Sequence, residues 1–102
     1  MTIANFDYAA VLRRADAVED AADQLDILRQ RTLADITDAL RSAWTGEAAD
    51  LFLQACTQRS EELRAHSAAL RDLADRIRRA ARAIEEAERR AAEQVSTNQI
   101  RS

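Results

Sequence analysis

The chain has 102 residues, of which 47% are apolar, 32% charged and 4% aromatic, and its formal net charge is -3. This length allows one domain with a small core. The slightly acidic balance argues against nucleic-acid binding, which needs a clearly basic face. A lone cysteine, Cys56, excludes an intramolecular disulfide.

The first predicted element is a helix over residues 7–42. Apolar residues recur there at alternating spacings of four and three, which places them on one helix face. The stripe supplies the first helix's half of a predicted hairpin or dimer seam, namely Val11, Val18, Leu25 and Ile36. Asn5 or Asp7 offers the side-chain oxygen for the N-cap.

A turn is predicted at residues 44–46, within the stretch SAWTGEAADLF. It contains Trp44 and Gly46, the only tryptophan and the only glycine of a chain that has no proline. Glycine adopts positive φ readily, so Gly46 is the residue suited to a chain reversal, with Thr45 placed to cap the next helix. Trp44 has a large indole, which we expect to close the end of a helical bundle or fill a cleft between helices.

The second predicted helix covers residues 47–94 and keeps the four-three spacing without a slip, as coiled-coil packing requires. Its seam positions are Phe52, Leu63, Leu70, Leu73, Ile77 and Ile84. On the outside, acidic and basic residues four apart are expected to pair: Asp72 with Arg76, Asp75 with Arg79, Glu85 with Arg89, and Glu86 with Arg90. The polar residues 96–102 are predicted to form a flexible tail, which leaves a helical domain over residues 1–95.

Three further residues on the periodic face of the second predicted helix are polar or reactive. Cys56 is interpreted as a small hydrophobe or, less favoured, as a disulfide partner of another subunit. Arg59 needs either an acidic partner or an exit to solvent, and is the best candidate for setting partner specificity. His66 is interpreted as a partly buried seam histidine, with a register or pH role as the alternative.

The sequence offers no catalytic constellation. Cys56 and His66 lie about 15 Å apart along one helix, so they do not form a metal site. A single histidine and hydroxyls without a base or an orienting acid argue against nucleophilic catalysis. We therefore predict a protein that is not an enzyme and that has no metal and no cofactor.

Two helices of these lengths predict an all-α antiparallel helix-turn-helix hairpin. Such a hairpin has one contact seam, and two helices alone seldom bury enough apolar surface to be stable. A second hairpin would supply the missing surface. We therefore expect dimerisation into a four-helix bundle.

The Trp-x-Gly turn in mid-chain, followed by Ala49 and Phe52 in a helical protein of this length, resembles the WXG-100 (ESAT-like) family. The resemblance implies a hairpin that dimerises and a role as a substrate or partner in a type VII (ESX-like) secretion system. Trp44 and Gly46 match the motif positions. Binding, rather than catalysis, is the implied activity.

One departure from the family affects the expected partner. Members often carry Tyr-x-x-x-Asp/Glu after the second helix, whereas the only tyrosine here is Tyr8, and Leu12 lies four residues later. We therefore favour a heterodimer with a related WXG-type protein over a homodimer. A type VII secretion ATPase or a larger substrate is the further expected partner, and a cytosolic adaptor or chaperone for a larger secreted effector is the alternative function.

The expected location follows from two sequence features. No apolar run reaches the roughly 18 residues of a membrane span, and the first residues lack the pattern of a signal peptide. We expect a protein secreted without a cleaved signal peptide and cytoplasmic before export. Membrane binding is not expected, because alanine-rich faces have modest membrane affinity.

Overall fold

The computed structural model describes residues 6–101 and contains two α-helices, α1 over Tyr8–Ala43 and α2 over Glu47–Arg101. The helices run antiparallel in a rod of 85 × 17 × 13 Å. The all-α hairpin predicted from the periodicity is confirmed.

Local signals set the ends of α1. Asp7 is the N-cap, and its side chain accepts a hydrogen bond from the Ala10 N–H at 2.9 Å. Asn5, the other candidate, lies outside the described residues. At the far end Trp44 is the C-cap, and its backbone N–H donates to the Leu40 carbonyl at 2.9 Å. The N-cap is therefore one of the two predicted residues, and the chain reverses between Ala43 and Glu47.

The two helices meet along a seam of small side chains. This small-residue seam consists of the buried residues of the described chain: Ala15, Ala22, Ala49, Ser60, Ser67, Ala74 and Ala81. The last four follow one another at seven-residue intervals and so share one face of α2. The largest fully buried side chain is that of Ser67, so no bulky group separates the helices, which therefore pack closely.

Both seam serines have hydrogen-bond partners. Arg29 Nη1 donates to Ser60 Oγ at 3.0 Å, and Ser67 Oγ donates to the Leu63 carbonyl at 3.3 Å. A buried hydroxyl without a partner would destabilise the fold. These bonds let serine occupy the seam positions beside alanine.

One flank of the seam is held by ion pairs between the helices. Arg78 contacts Asp16 at 2.7 Å and Glu19 at 3.0 Å. One heptad earlier in α2, Arg71 contacts Asp23 at 2.9 Å and Asp26 at 2.6 Å. We call these six residues the ion-pair flank.

The hydrogen bond from Arg71 holds the pKa of the Asp26 carboxyl below its usual value. Asp26 therefore stabilises the hairpin at neutral pH, and its contribution is lost as the pH falls through that lowered pKa. The sequence pattern did not predict these pairs between helices.

Pairs within α2 are partly as expected. Asp72–Arg76 and Asp75–Arg79, both at 2.9 Å, confirm two predicted pairs. Glu86–Arg90, at 3.2 Å, confirms a third. The predicted bond from Arg89 to Glu85 is wrong, because Arg89 donates to Glu86 instead. All are exposed pairs, which stabilise a helix only slightly.

The C-terminal part of α2 differs from the prediction. The helix was expected to end near residue 94 and continues to Arg101. Residues 96–101 contain neither glycine nor proline to end it, and Thr97 Oγ1 donates to the Glu93 carbonyl at 2.9 Å. Residues 89–101, which we call the overhang, extend about 20 Å past the start of α1.

A tyrosine connects the start of α1 to the late part of α2. Tyr8 Oη donates to Glu88 Oε2 at 2.5 Å, and the Phe6 ring packs edge-on against the Tyr8 ring at 4.5 Å between centroids. Burial, followed by the Glu88 carboxylate, raises the pKa of Tyr8 to about 12. This contact lies at the end of the paired part of the hairpin.

We expect Ala74→Leu to lower the free energy of unfolding by about 1–3 kcal/mol, because the seam has no room for a larger side chain. Urea unfolding followed by circular dichroism at fixed protein concentration measures the change. Ala83→Leu, at an exposed position of the same helix, should stay within about 0.5 kcal/mol of the parent. Equal effects of the two substitutions would contradict the close packing.

Because the chain has one tyrosine, its ultraviolet absorbance reports the ionisation of Tyr8 directly. The pKa in the folded protein, about 12, lies above the ordinary 10.0, so Tyr8 stabilises the fold below pH 10 and this contribution is lost as the pH rises towards 12. Glu88→Gln should lower the midpoint, while distant Glu61→Gln should not. A midpoint near 10 in a chain that is still helical would contradict the contact.

Candidate functional site

A series of large aliphatic side chains lies on the side of the hairpin opposite the ion-pair flank. On this apolar flank α1 contributes Val11, Val18, Leu25, Leu28 and Ile36, and α2 contributes Cys56, Leu63, Leu70, Leu73, Ile77 and Ile84. Leu63, Leu70, Ile77 and Ile84 each follow a seam residue of α2 by three positions. This spacing places their side chains on one side of the helix contact. The flank therefore runs along most of the paired hairpin.

Much of the apolar flank remains open to solvent. Leu28 is 60% exposed, Leu73 46% and Leu63 41%, while the other aliphatic members are half-buried. Exposed apolar residues gathered on one side of a soluble protein are typical of an interaction site.

A groove of about 370 Å³ opens between the helices in the half of the flank near the turn. Leu25, Ile36, Cys56 and Leu63 are among the apolar side chains that line it. The charged residues in its lining are Arg29 and Arg59, and no acidic side chain of the described residues contributes. The groove is therefore apolar with a cationic edge.

The turn places aromatic side chains at the end of the rod. Trp44 is 46% exposed and Phe52 48%, and their ring centroids lie 6.1 Å apart. Leu51, which precedes Phe52 in the sequence, is 57% exposed. The indole therefore forms part of an exposed apolar end and is not enclosed within the single hairpin.

Gly46 makes the reversal through its backbone. Its φ is +106°, and a Cβ built there would meet no atom within 4 Å. The position therefore needs glycine for conformation and not for space. Gly46 directly precedes α2, and its carbonyl accepts from the Asp50 N–H at 3.1 Å, so Gly46 occupies the N-cap position predicted for Thr45.

The profile of a family described as proteins of 100 residues with WXG matches residues 4–89. The chain belongs to the WXG100 family. The resemblance seen in the Trp-x-Gly turn is thus confirmed, and the family is associated with type VII secretion. No curated protein and no solved structure matched the chain.

The predicted seam residues of this WXG100 chain lie beside the helix contact. None of the ten is fully buried: Leu63, Leu73 and Phe52 are exposed, and the rest are half-buried. Phe52 lies at the turn, apart from the others. Alanine and serine displace the larger residues from the contact because they let the helices approach closely. A role of the ten in a dimer remains a prediction.

The three polar or reactive stripe residues have different surroundings. Cys56 is half-buried in the groove, as a small hydrophobe would be. Arg59 leads to solvent, with a side chain that is 79% exposed, and Nη1 donates to Glu62 at 3.0 Å. His66 is exposed, so the expected partial burial within the hairpin is wrong, because the residue that enters the seam is the adjacent Ser67.

Two other kinds of site are a membrane span and a cluster of metal ligands. Within residues 6–101, neither helix has a stretch long and apolar enough to cross a membrane. The same part of the chain contains no group of three or more His, Cys, Asp and Glu residues that could hold a metal ion.

The sequence pattern did not predict the groove or the largely buried Arg29 side chain in its lining. Arg29 has a side chain only 9% exposed, and its Nε lies 3.5 Å from Asp26 Oδ1. A weak signal was present, because Arg29 follows Ala15 and Ala22 at the same seven-residue interval. That spacing indicates a seam position on α1.

We expect Gly46→Ala to lower the free energy of unfolding by about 1–2 kcal/mol, because an L-residue is strained at this φ. Replacing Gly46 with D-alanine by chemical synthesis should restore most of the loss, since a D-residue favours positive φ. Thermal unfolding of the three chains measures the difference. Equal losses for both alanines would indicate a steric rather than a conformational requirement.

We expect Trp44→Ala to lower the free energy of unfolding of the single hairpin by about 1–2 kcal/mol, since the indole is half-exposed. A fully buried tryptophan would cost about 3–5 kcal/mol. Urea unfolding of the isolated chain distinguishes the two ranges, with Phe52→Ala as the neighbouring comparison. A small loss combined with failed export would make Trp44 a recognition residue.

Proposed function

We propose that this WXG100 chain works by protein–protein binding in a type VII (ESX-like) secretion system, as an exported protein or as the secretion partner of one. Its hairpin pairs with a second hairpin to form a four-helix bundle. The apolar flank is the surface that is covered.

The observation that carries this proposal is the division of side chains between seam and flank. The fully buried residues are alanines and serines, whereas the leucines, isoleucines and valines remain partly in water. Burying one large aliphatic side chain stabilises a protein by about 1.5–3 kcal/mol. A second hairpin on the flank would therefore supply stability that one chain lacks.

A related but different WXG100 chain is the partner we favour. Tyr8, the only tyrosine, lies at the start of α1 and donates a hydrogen bond to Glu88 of α2. In this proposal the Tyr-x-x-x-Asp/Glu signal therefore comes from the partner. The joint bundle then presents the overhang and the exposed Trp44 end to a secretion ATPase or a larger substrate.

Assembly is tested with the WXG100 chains encoded in the same genome, each co-expressed in turn with the tagged protein. Size-exclusion chromatography with light scattering should give a 1:1 complex with one of them. The paired substitution Leu63→Ala with Ile77→Ala should weaken that complex, whereas the exposed Ala65→Ser with Ala68→Ser should not. A chain that is a stable folded monomer at micromolar concentration and binds none of them would contradict the proposal.

Export is tested in the parent strain. We expect the protein in culture filtrate when the type VII ATPase is present and its loss from the filtrate when the ATPase gene is deleted. A cytosolic marker protein controls for lysis. Detection only in the cytosol, with a complex still formed, would instead support a cytosolic adaptor or chaperone.

A further inference from the structure

The α2 side of the apolar flank contains one permanent charge. Two series of α2 residues at seven-residue intervals run along this side of the helix, and every member is apolar except Arg59 and His66: Phe52, Arg59, His66, Leu73, Ala80 and Ala87, with Cys56, Leu63, Leu70, Ile77, Ile84 and Ala91. Neither series contains an acidic residue. A guanidinium stays protonated at any working pH, so Arg59 is a fixed cation on an apolar surface.

Arg59 contributes little to the hairpin itself. Its bond to Glu62 joins side chains that are 79% and 50% exposed, and exposed pairs of this kind have small effects on stability. Arg71 and Arg78 differ, since each is less exposed and each contacts two carboxylates of α1. Arg59 is therefore available to a new partner.

Arg59 also lies at the edge of the groove. Its side chain lines the cavity together with Leu63, one helical turn away, and with Leu28 of the other helix. Glu62 does not line it. A helix that covered the groove would take water from the guanidinium, and a cation that loses water without gaining a carboxylate is costly.

We propose that the partner is a helix that places one large apolar side chain in the groove and a carboxylate three or four residues away, where it pairs with Arg59. The inference rests on the proposed function, because it describes the chain that covers the same flank. A groove of about 370 Å³ accepts one such side chain. An apolar and an acidic residue at that spacing lie on the same helix face, as in helix-in-groove recognition.

Charge favours a different chain over a second copy as the occupant. If the α2 series of a second copy packed on the same series of the first, it would bring Arg59 and no carboxylate towards Arg59. Like charges that meet in an interface suppress pairing. The occupant in this proposal is therefore a chain of another sequence that places a carboxylate opposite Arg59.

The test measures the affinity for the WXG100 chain that forms the 1:1 complex described above, by titration calorimetry at low and high salt. Arg59→Glu should weaken binding by about tenfold or more at low salt, with a smaller effect at high salt. Arg64→Glu is the matched control, because Arg64 pairs with Glu61 at 3.1 Å with side chains 65% and 60% exposed, and it does not line the groove. It should change affinity by no more than about twofold.

The outcomes separate the inference from the proposed function. If Leu63→Ala with Ile77→Ala weakens binding while Arg59→Glu and Arg64→Glu are alike, the flank is the interface and the role of Arg59 is overturned. If no WXG100 chain binds, both proposals fall. A dimer of the chain alone that Arg59→Glu leaves intact would make a second copy the occupant and also overturn the inference.

A charge exchange completes the test. Each acidic residue of the partner's helices is changed to lysine in turn. One of these partner variants should bind the Arg59→Glu chain more tightly than the unchanged partner binds it. Circular dichroism confirms that every variant keeps its helix content. Rescue at no position contradicts a direct pair.

Discussion

The structure depends on the close contact between two helices at alanine and serine. Because the side chains between the helices are small, the backbones approach closely and nothing large fits between them. The aliphatic residues at neighbouring heptad positions are therefore turned to one side. The same contact that forms the hairpin thus creates the surface that we propose for a partner.

The ion-pair flank and the apolar flank have different roles. Arg71 and Arg78 join α2 to carboxylates of α1 one heptad apart, which aligns the helices along their length. The small residues of the seam repeat every seven residues, so the seam alone would tolerate a shift of one helix along the other by one heptad. Directional contacts such as the hydrogen bond from Arg29 to Ser60 help to fix the register. Among residues 6–101 no ion pair joins the helices on the opposite side, which is the side that we propose for binding.

Much of the fold was predictable from the sequence because its signals are local. Asp7, Trp44 and Gly46 mark helix ends through caps and backbone preference, which a single sequence shows directly. The identity of the contact face was harder to predict. Periodicity identifies the large apolar residues, whereas the contact between the helices is formed by small residues a few positions away. The cross-helix partners of Arg71 depend on how the helices rotate against each other, and neither helix alone contains that information.

The small side chains of the seam affect the heat capacity change of unfolding and, through it, how the folded chain depends on its partner. Little apolar area leaves water when one chain folds, so its unfolding should have a small heat capacity change and a shallow temperature dependence. Most of the heat capacity change would instead accompany association. The folded fraction would then follow the partner's concentration by mass action, and an excess of unpaired chain would be open to proteolysis.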